Sequence, residues 1–132
     1  MNRYRFALLG SLSAIISARL YVGFGGSLNF SFLGHELHHF YYGISLLIFA
    51  GILKRKGVSE LLIFFIVGLG LGYIFDEFDL LLSFGKPYTM RLYDNPINIS
   101  MDTILILIFF RLNQTHDRVY VNGLLYDSES AL

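Results

Sequence analysis

The sequence predicts an all-α membrane protein, a bundle of four transmembrane helices with both termini cytoplasmic. Three observations predict it. The 132 residues are 55% hydrophobic and only 15% charged, whereas an average soluble domain is ~25% charged. A soluble chain this small is mostly surface, and so little charge covers it poorly. Four apolar stretches run continuously rather than alternating, which excludes half-buried strands. A backbone in lipid must satisfy its own hydrogen bonds, and a helix does so within one segment.

The first stretch covers residues 6–26 and is interrupted only by Arg19. The second covers 39–53 and reaches spanning length only if residues 34–40 join its helix. The third covers 61–82 and ends on Asp76, Glu77 and Asp79. The fourth covers 97–112, holds Asp102, and must borrow its flanks. A hydrocarbon core of ~30 Å asks for ~20 helical residues. A Gly/Ser/Asn turn over 23–31 and a basic loop over 54–57 separate the first three, with Ser59 placed to cap the third. Residues 1–112 are expected to form the transmembrane domain and 113–132 a short cytoplasmic tail. Within that tail, 119–126 is expected as a small hairpin around Asn122-Gly123 or as irregular chain. The basic start at Arg3 and Arg5 fits a signal peptide. The long apolar run without an A-x-A site favours a retained helix.

Arginine and lysine set the orientation. With four spans, Arg3, Arg5, Lys54, Arg55, Lys56, Arg111 and Arg118 share one side, and Arg19, Lys86 and Arg91 lie nearer the other. The basic side is cytoplasmic, so a multi-pass plasma-membrane protein is expected. The formal charge of zero then divides into a basic inner side and an acidic outer one. Zero net charge also argues against nucleic acid as a partner. The absence of cysteine excludes disulfides, thiolate metal sites and cysteine nucleophiles.

This topology brings ionisable residues from four regions to one outer depth. His35, Glu36, His38 and His39 enter helix two there. Asp76, Glu77 and Asp79 leave helix three there, Asp102 opens helix four, and Arg19 lies in the outer third of helix one. Gly68, Gly72 and Asp76 follow i, i+4 spacing, so Asp76 should continue a small-residue packing face into the bundle. Glu77 is rotated from it by ~100°. Gly10, Ala14 and Ala18 form a similar stripe before Arg19. Gly68-x-Gly70-x-Gly72 is no nucleotide loop, because it lies inside an apolar helix.

Glu36-x-x-His39 puts a carboxylate and an imidazole on one helical face. Carboxylate and imidazole donors from several helices hold metals in helix bundles, and without thiolate they suit zinc, iron or manganese. The expected divalent-metal ligands are Glu36, His38, His39 and Asp76. Glu77 and Asp102 are expected as acid/base groups, with Arg19 and His35 toward an anionic substrate. Asp79 and Asp94 rank lower. A metal-bound water supplies a nucleophile near neutral pH, which points to hydrolysis or oxidation of a lipid-like substrate. Two other readings stand beside it. One is a structural or accessory subunit whose polar network fixes helix packing, with Arg19 paired to Asp76 or Asp102 and Ser100/Asp102 opening a helix. The other is a small ion or proton conduit. Membrane lipids are the expected partners, with a homo-oligomer or larger membrane complex. Tyr41, Tyr42, Tyr88 and Tyr93 read as interfacial belt residues.

Three motifs, Glu36-Leu37-His38-His39-Phe40-Tyr41-Tyr42-Gly43, the Gly68-to-Glu77 helix end and Ser100-Met101-Asp102, resemble those of an uncharacterised family of small prokaryotic integral membrane proteins. The resemblance covers about residues 34–110. Some relatives have a first His where this chain has Glu36, with His35 one residue earlier. The resemblance implies that Glu36, His38, His39, Asp76, Glu77 and Asp102 act as a group, and it brings no activity with it.

Overall fold

The structure is a computed structural model that describes residues 2–23, 31–32, 35–36, 38–78 and 96–129, with side chains described over 2–21, 38–78 and 96–119. Four helices and one minimal ladder make up these residues: α1 Arg3–Gly23, β1 Ser31–Phe32, β2 His35–Glu36, α2 His39–Arg55, α3 Glu60–Asp76 and α4 Pro96–Glu129. The all-α four-helix expectation holds at this level. Among the described residues one helix segment, Pro96–Val119, is long and apolar enough to cross a membrane. Helices α2 and α3 have 17 residues each, a length of ~26 Å at 1.5 Å per residue.

Several boundaries depart from the sequence expectation. Residues 35, 36 and 38 do not extend α2. Ser31 pairs with Glu36 and Phe32 with His35 in an antiparallel ladder, and His38 is the extended N-cap residue (φ −76°, ψ 153°). The backbone of these paired residues thus finds local partners without helix. Glu36 and His39 therefore do not share a helical face. Helix α3 stops at Asp76 with Glu77 as its C-cap residue; Asp79 and the rest of the third stretch lie outside the described residues. Helix α4 has 34 residues, so the domain boundary at 112 and the expected hairpin over 119–126 both fall inside a helix. Pro96, whose missing N–H costs nothing at a first helical position, starts it. Asp102 is thus in the second turn rather than the first. Ser100 does not cap it, since its hydroxyl donates to the Pro96 carbonyl one turn back at 2.7 Å.

The turn after α2 follows from one residue. Gly57 has φ 73°, a conformation that glycine adopts without a Cβ clash. Its N–H reaches the Lys54 carbonyl at 3.2 Å and the Val58 N–H reaches Leu53 at 3.3 Å. Those two bonds are the Schellman pattern that closes a helix end. Ser59 occupies the N-cap position of α3, but its side chain makes no capping bond.

Helix α3 is central. Its glycines explain how it serves two neighbours. At ~100° per residue, Gly72 lies ~40° from Gly68 around the helix, while Gly70 lies ~200° away. Gly68 and Gly72 face α1, where a Cβ on Gly68 would strike the Ala7 backbone and one on Gly72 would meet the Ala14 Cβ at 2.7 Å. Gly70 faces α2, where a Cβ would stand 2.9 Å from the Gly43 carbonyl. Small residues let helices approach to backbone contact. Ser11 adds a polar stitch, with its hydroxyl 2.9 Å from the Ala7 carbonyl and 3.1 Å from that of Gly68. Helix α4 closes over α1 and α3 through Leu105 and Phe109 against Ala7. Ala50, Ile63 and Ile66 pack α2 on α3.

Small and aliphatic residues make up the buried core, yet polar side chains share it and many large apolar ones lie outside. The largest fully buried side chains are Asp76 and Ser11, while Ile16, Ile48, Phe49, Leu62, Leu107 and Ile108 are exposed.

Candidate functional site

Two polar arrays sit at the end of the bundle where α1 and α3 finish and α2 begins. They are separated by the rotation between consecutive residues of α3. Asp76 continues the Gly68/Gly72 face and points toward α1 and α4. It is 0% exposed. The Arg19 Nε lies 2.8 Å from Asp76 Oδ1, and Arg19 Nη2 lies 3.2 Å from Asp102 Oδ2. One guanidinium from α1 thus bridges carboxylates from α3 and α4. Burial of two acids requires such compensation, because an unpaired charge out of water is costly.

Glu77, ~100° further round, points toward the start of α2 and is 4% exposed. Its Oε2 accepts the Phe40 N–H at 3.0 Å, which satisfies a donor in the first turn of α2. Its Oε1 lies 3.7 Å from His39 Nδ1 and 4.0 Å from His38 Nδ1. No lysine or arginine among the described residues pairs with Glu77; its basic neighbours are these two imidazoles.

Three tyrosines surround His39. Ring centroids of Tyr21, Tyr42 and Tyr73 stand 5.8, 6.3 and 5.9 Å from the imidazole. The Tyr73 hydroxyl is 3.0 Å from the Ser17 hydroxyl. Tyr42 belongs to this group, whereas Tyr41 stacks on Phe40 at 4.3 Å. Sequence reasoning passed over Tyr21 and Tyr73. A signal for Tyr73 exists, because Tyr73 and Glu77 are four residues apart on one face of α3.

The predicted residues therefore fall into three sets. Arg19, Asp76 and Asp102 converge as an ion triad, and Arg19 takes the paired form weighed beside a substrate role. His38, His39 and Glu77 converge separately. The side chains of His35 and Glu36, together with Asp79 and Asp94, lie outside the described residues. Among the described residues no group of three or more His, Asp and Glu side chains closes around a metal position.

The opposite end carries a different array. The Asn2 amide donates to the Asn113 carbonyl at 3.3 Å, to Asn113 Oδ1 at 3.0 Å and to Asp117 Oδ1 at 3.3 Å. Arg5 Nη2 donates to Asp117 Oδ2 at 2.8 Å. The hydrogen bond from Arg5, then that from Asn2, holds the Asp117 carboxyl below its ordinary range. These contacts tie the start of α1 to α4. Asp117 therefore lies within the helix, solvent-exposed and bonded to both Arg5 and Asn2.

No family model matches this chain, and no curated protein or solved structure shows significant similarity to it.

Proposed function

We propose that this is a multi-pass integral membrane protein of the plasma membrane, and that its His39 and Glu77 side chains contribute to a divalent-cation site at the outer face. The membrane reading is supported by the many large aliphatic side chains on the outside of the bundle, with Asp76 and Ser11 fully buried within it. Lipid accepts such a surface, and water does not.

The cation reading rests on one observation. Three buried carboxylates, Asp76, Glu77 and Asp102, share one arginine, and that arginine is engaged by Asp76 and Asp102. Among the described residues the basic groups beside Glu77 are the His38 and His39 imidazoles. Ligands ~2.1 Å from a tetrahedral ion stand ~3.4 Å apart, close to the His39–Glu77 separation of 3.7 Å. Carboxylate with imidazole suits zinc, iron or manganese. A bound ion would polarise water or a lipid ester beside it, which is how a lipid-directed hydrolase or oxidoreductase would use the site.

A second reading has its own support. Arg19 joins three helices through two carboxylates, the arrangement expected of a subunit whose polar network fixes packing. The two readings separate by residue. Element analysis of detergent-purified protein is expected to find stoichiometric metal that is lost in His39→Ala and in Glu77→Gln while helical circular dichroism is retained. No metal after purification without chelator, and none after reconstitution with zinc, iron or manganese, overturns the cation reading. It leaves the structural one in place.

A further inference from the structure

The outward face of α4 carries a groove of about 370 Å³ lined by Ile104, Leu107, Ile108, Arg111, Leu112 and Thr115. The spacing identifies its walls. Ile104, Ile108 and Leu112 form one i±4 ridge, and Leu107, Arg111 and Thr115 form the next. Such a groove accepts either the ridge of a second helix or an extended acyl chain. The groove is apolar along most of its length and cationic at one end.

We propose that this groove binds one anionic phospholipid of the inner leaflet, with an acyl chain along Ile104–Leu107–Ile108–Leu112 and the phosphate on Arg111. The proposal rests on the membrane reading above and is independent of the cation site. Charge selects the occupant. Arg3 pairs with Glu60, Arg5 with Asp117, and Arg19 with Asp76 and Asp102. Arg111 has no carboxylate partner among the described residues. Its guanidinium matches a phosphate in a bidentate geometry. Arg111 is the charged residue of the lining, and the Thr115 hydroxyl beside it already donates to the Arg111 carbonyl at 3.0 Å. Arg118, two turns on, extends the same face with a second positive charge and favours a headgroup of net negative charge over a zwitterionic one.

Depth agrees with this assignment. Arg111 lies two residues, ~3 Å of helix rise, from Asn113, which bonds the start of α1. That level belongs to the basic side of the molecule. A second copy of the chain fits less well. Two copies inserted with the same orientation and related by a two-fold axis would meet through identical patches at one depth. Arg111 would then face Arg111, with no described acid in the groove to separate them.

The test is native mass spectrometry of the detergent-solubilised chain titrated with dioleoylphosphatidylglycerol or dioleoylphosphatidylcholine. Phosphatidylglycerol is expected to bind with one tight site and phosphatidylcholine more weakly. Arg111→Gln is expected to weaken the phosphatidylglycerol site about fivefold, on the order of the contribution of one basic residue at an anionic surface. Ile108→Ala in the apolar part should weaken both lipids. Lys56→Gln, outside the groove, should change neither. Equal binding of the two lipids, unchanged binding in Arg111→Gln, or a dimer disrupted by Arg111→Gln or Ile108→Ala overturns the proposal. Carbonate extraction of membranes keeps its failure distinct from failure of the membrane reading. A chain that stays in the pellet but ignores Arg111→Gln sinks the lipid site alone.

Discussion

The two ends of the bundle are both closed by charged side chains, yet they differ in what those charges cost. At the end read as outer, Arg19 is 26% exposed and its partners Asp76 and Asp102 are 0% and 9% exposed at the side chain. At the end read as inner, Arg5 and Asp117 are 54% and 42% exposed. The Arg–Asp distance is 2.8 Å in both. The same contact therefore has different consequences. A buried charge cannot recover its hydration when its partner is removed, whereas an exposed one can. Distance alone does not rank these pairs; solvent access does.

The largest effect should come from breaking the outer triad. Arg19→Met leaves two buried carboxylates uncompensated and is expected to cost ~3–5 kcal/mol, read as a large fall in melting temperature in detergent. Combining it with Asp76→Leu and Asp102→Leu should recover much of the loss, since an apolar replacement of a whole buried network is often neutral. A triple variant no more stable than Arg19→Met would show that the triad does more than neutralise itself.

Next in size is the seam between the two ends. Gly68→Val drives a side chain into the Ala7 backbone and is expected to cost ~1–3 kcal/mol by overpacking. Gly51→Ala serves as its control, because a Cβ there meets nothing within 4 Å. An equal loss in both would argue that helix propensity rather than close approach sets the cost. Ser11→Ala removes a buried hydroxyl and, on the membrane reading, should cost ~0.6 kcal/mol, the usual size of an interhelical hydrogen bond within a bilayer, measured by the same melts.

The smallest effect should follow Asp117→Asn at the inner end, and it should fade as salt is raised. Its pH dependence has a definite sign. The folded carboxyl titrates below the unfolded one. Its contribution is therefore fully present above the unfolded carboxylate range and is lost as pH falls through the lower folded value. Wild type should lose stability relative to Asp117→Asn as pH is lowered through that window. A difference that grows with rising pH above neutrality would contradict the assignment.

Much of this was legible from periodicity. Asp76 was placed on the Gly68/Gly72 face by spacing alone, and it lies there, fully buried. The ~100° between Asp76 and Glu77 anticipated that they need not meet, and they serve different arrays. The small-residue stripes of α1 and α3 were legible too, and the structure packs one on the other. The segment before α2 was not legible. Glu36-x-x-His39 has the spacing of a helical pair, but the ladder between Ser31–Phe32 and His35–Glu36 takes the backbone instead. The end of α4 was also misread. Asn122-Gly123 has strong turn chemistry, yet it lies within a 34-residue helix whose Asn113 and Asp117 are bound to the start of α1. Local propensity is a weak prior where a helix is already propagating and tertiary bonds support it.

The sequence by itself determined that the chain is helical, that α1 and α3 each carry a small-residue face, and that Asp76 continues the face of α3. These are properties of one chain and its 3.6-residue period. Which acid Arg19 reaches, and that Glu77 answers to Phe40, His38 and His39 instead, was decided only by the tertiary structure. Those pairings depend on the rotation of one helix against three neighbours. A single residue step on α3 turns a side chain by ~100° and so changes its partner.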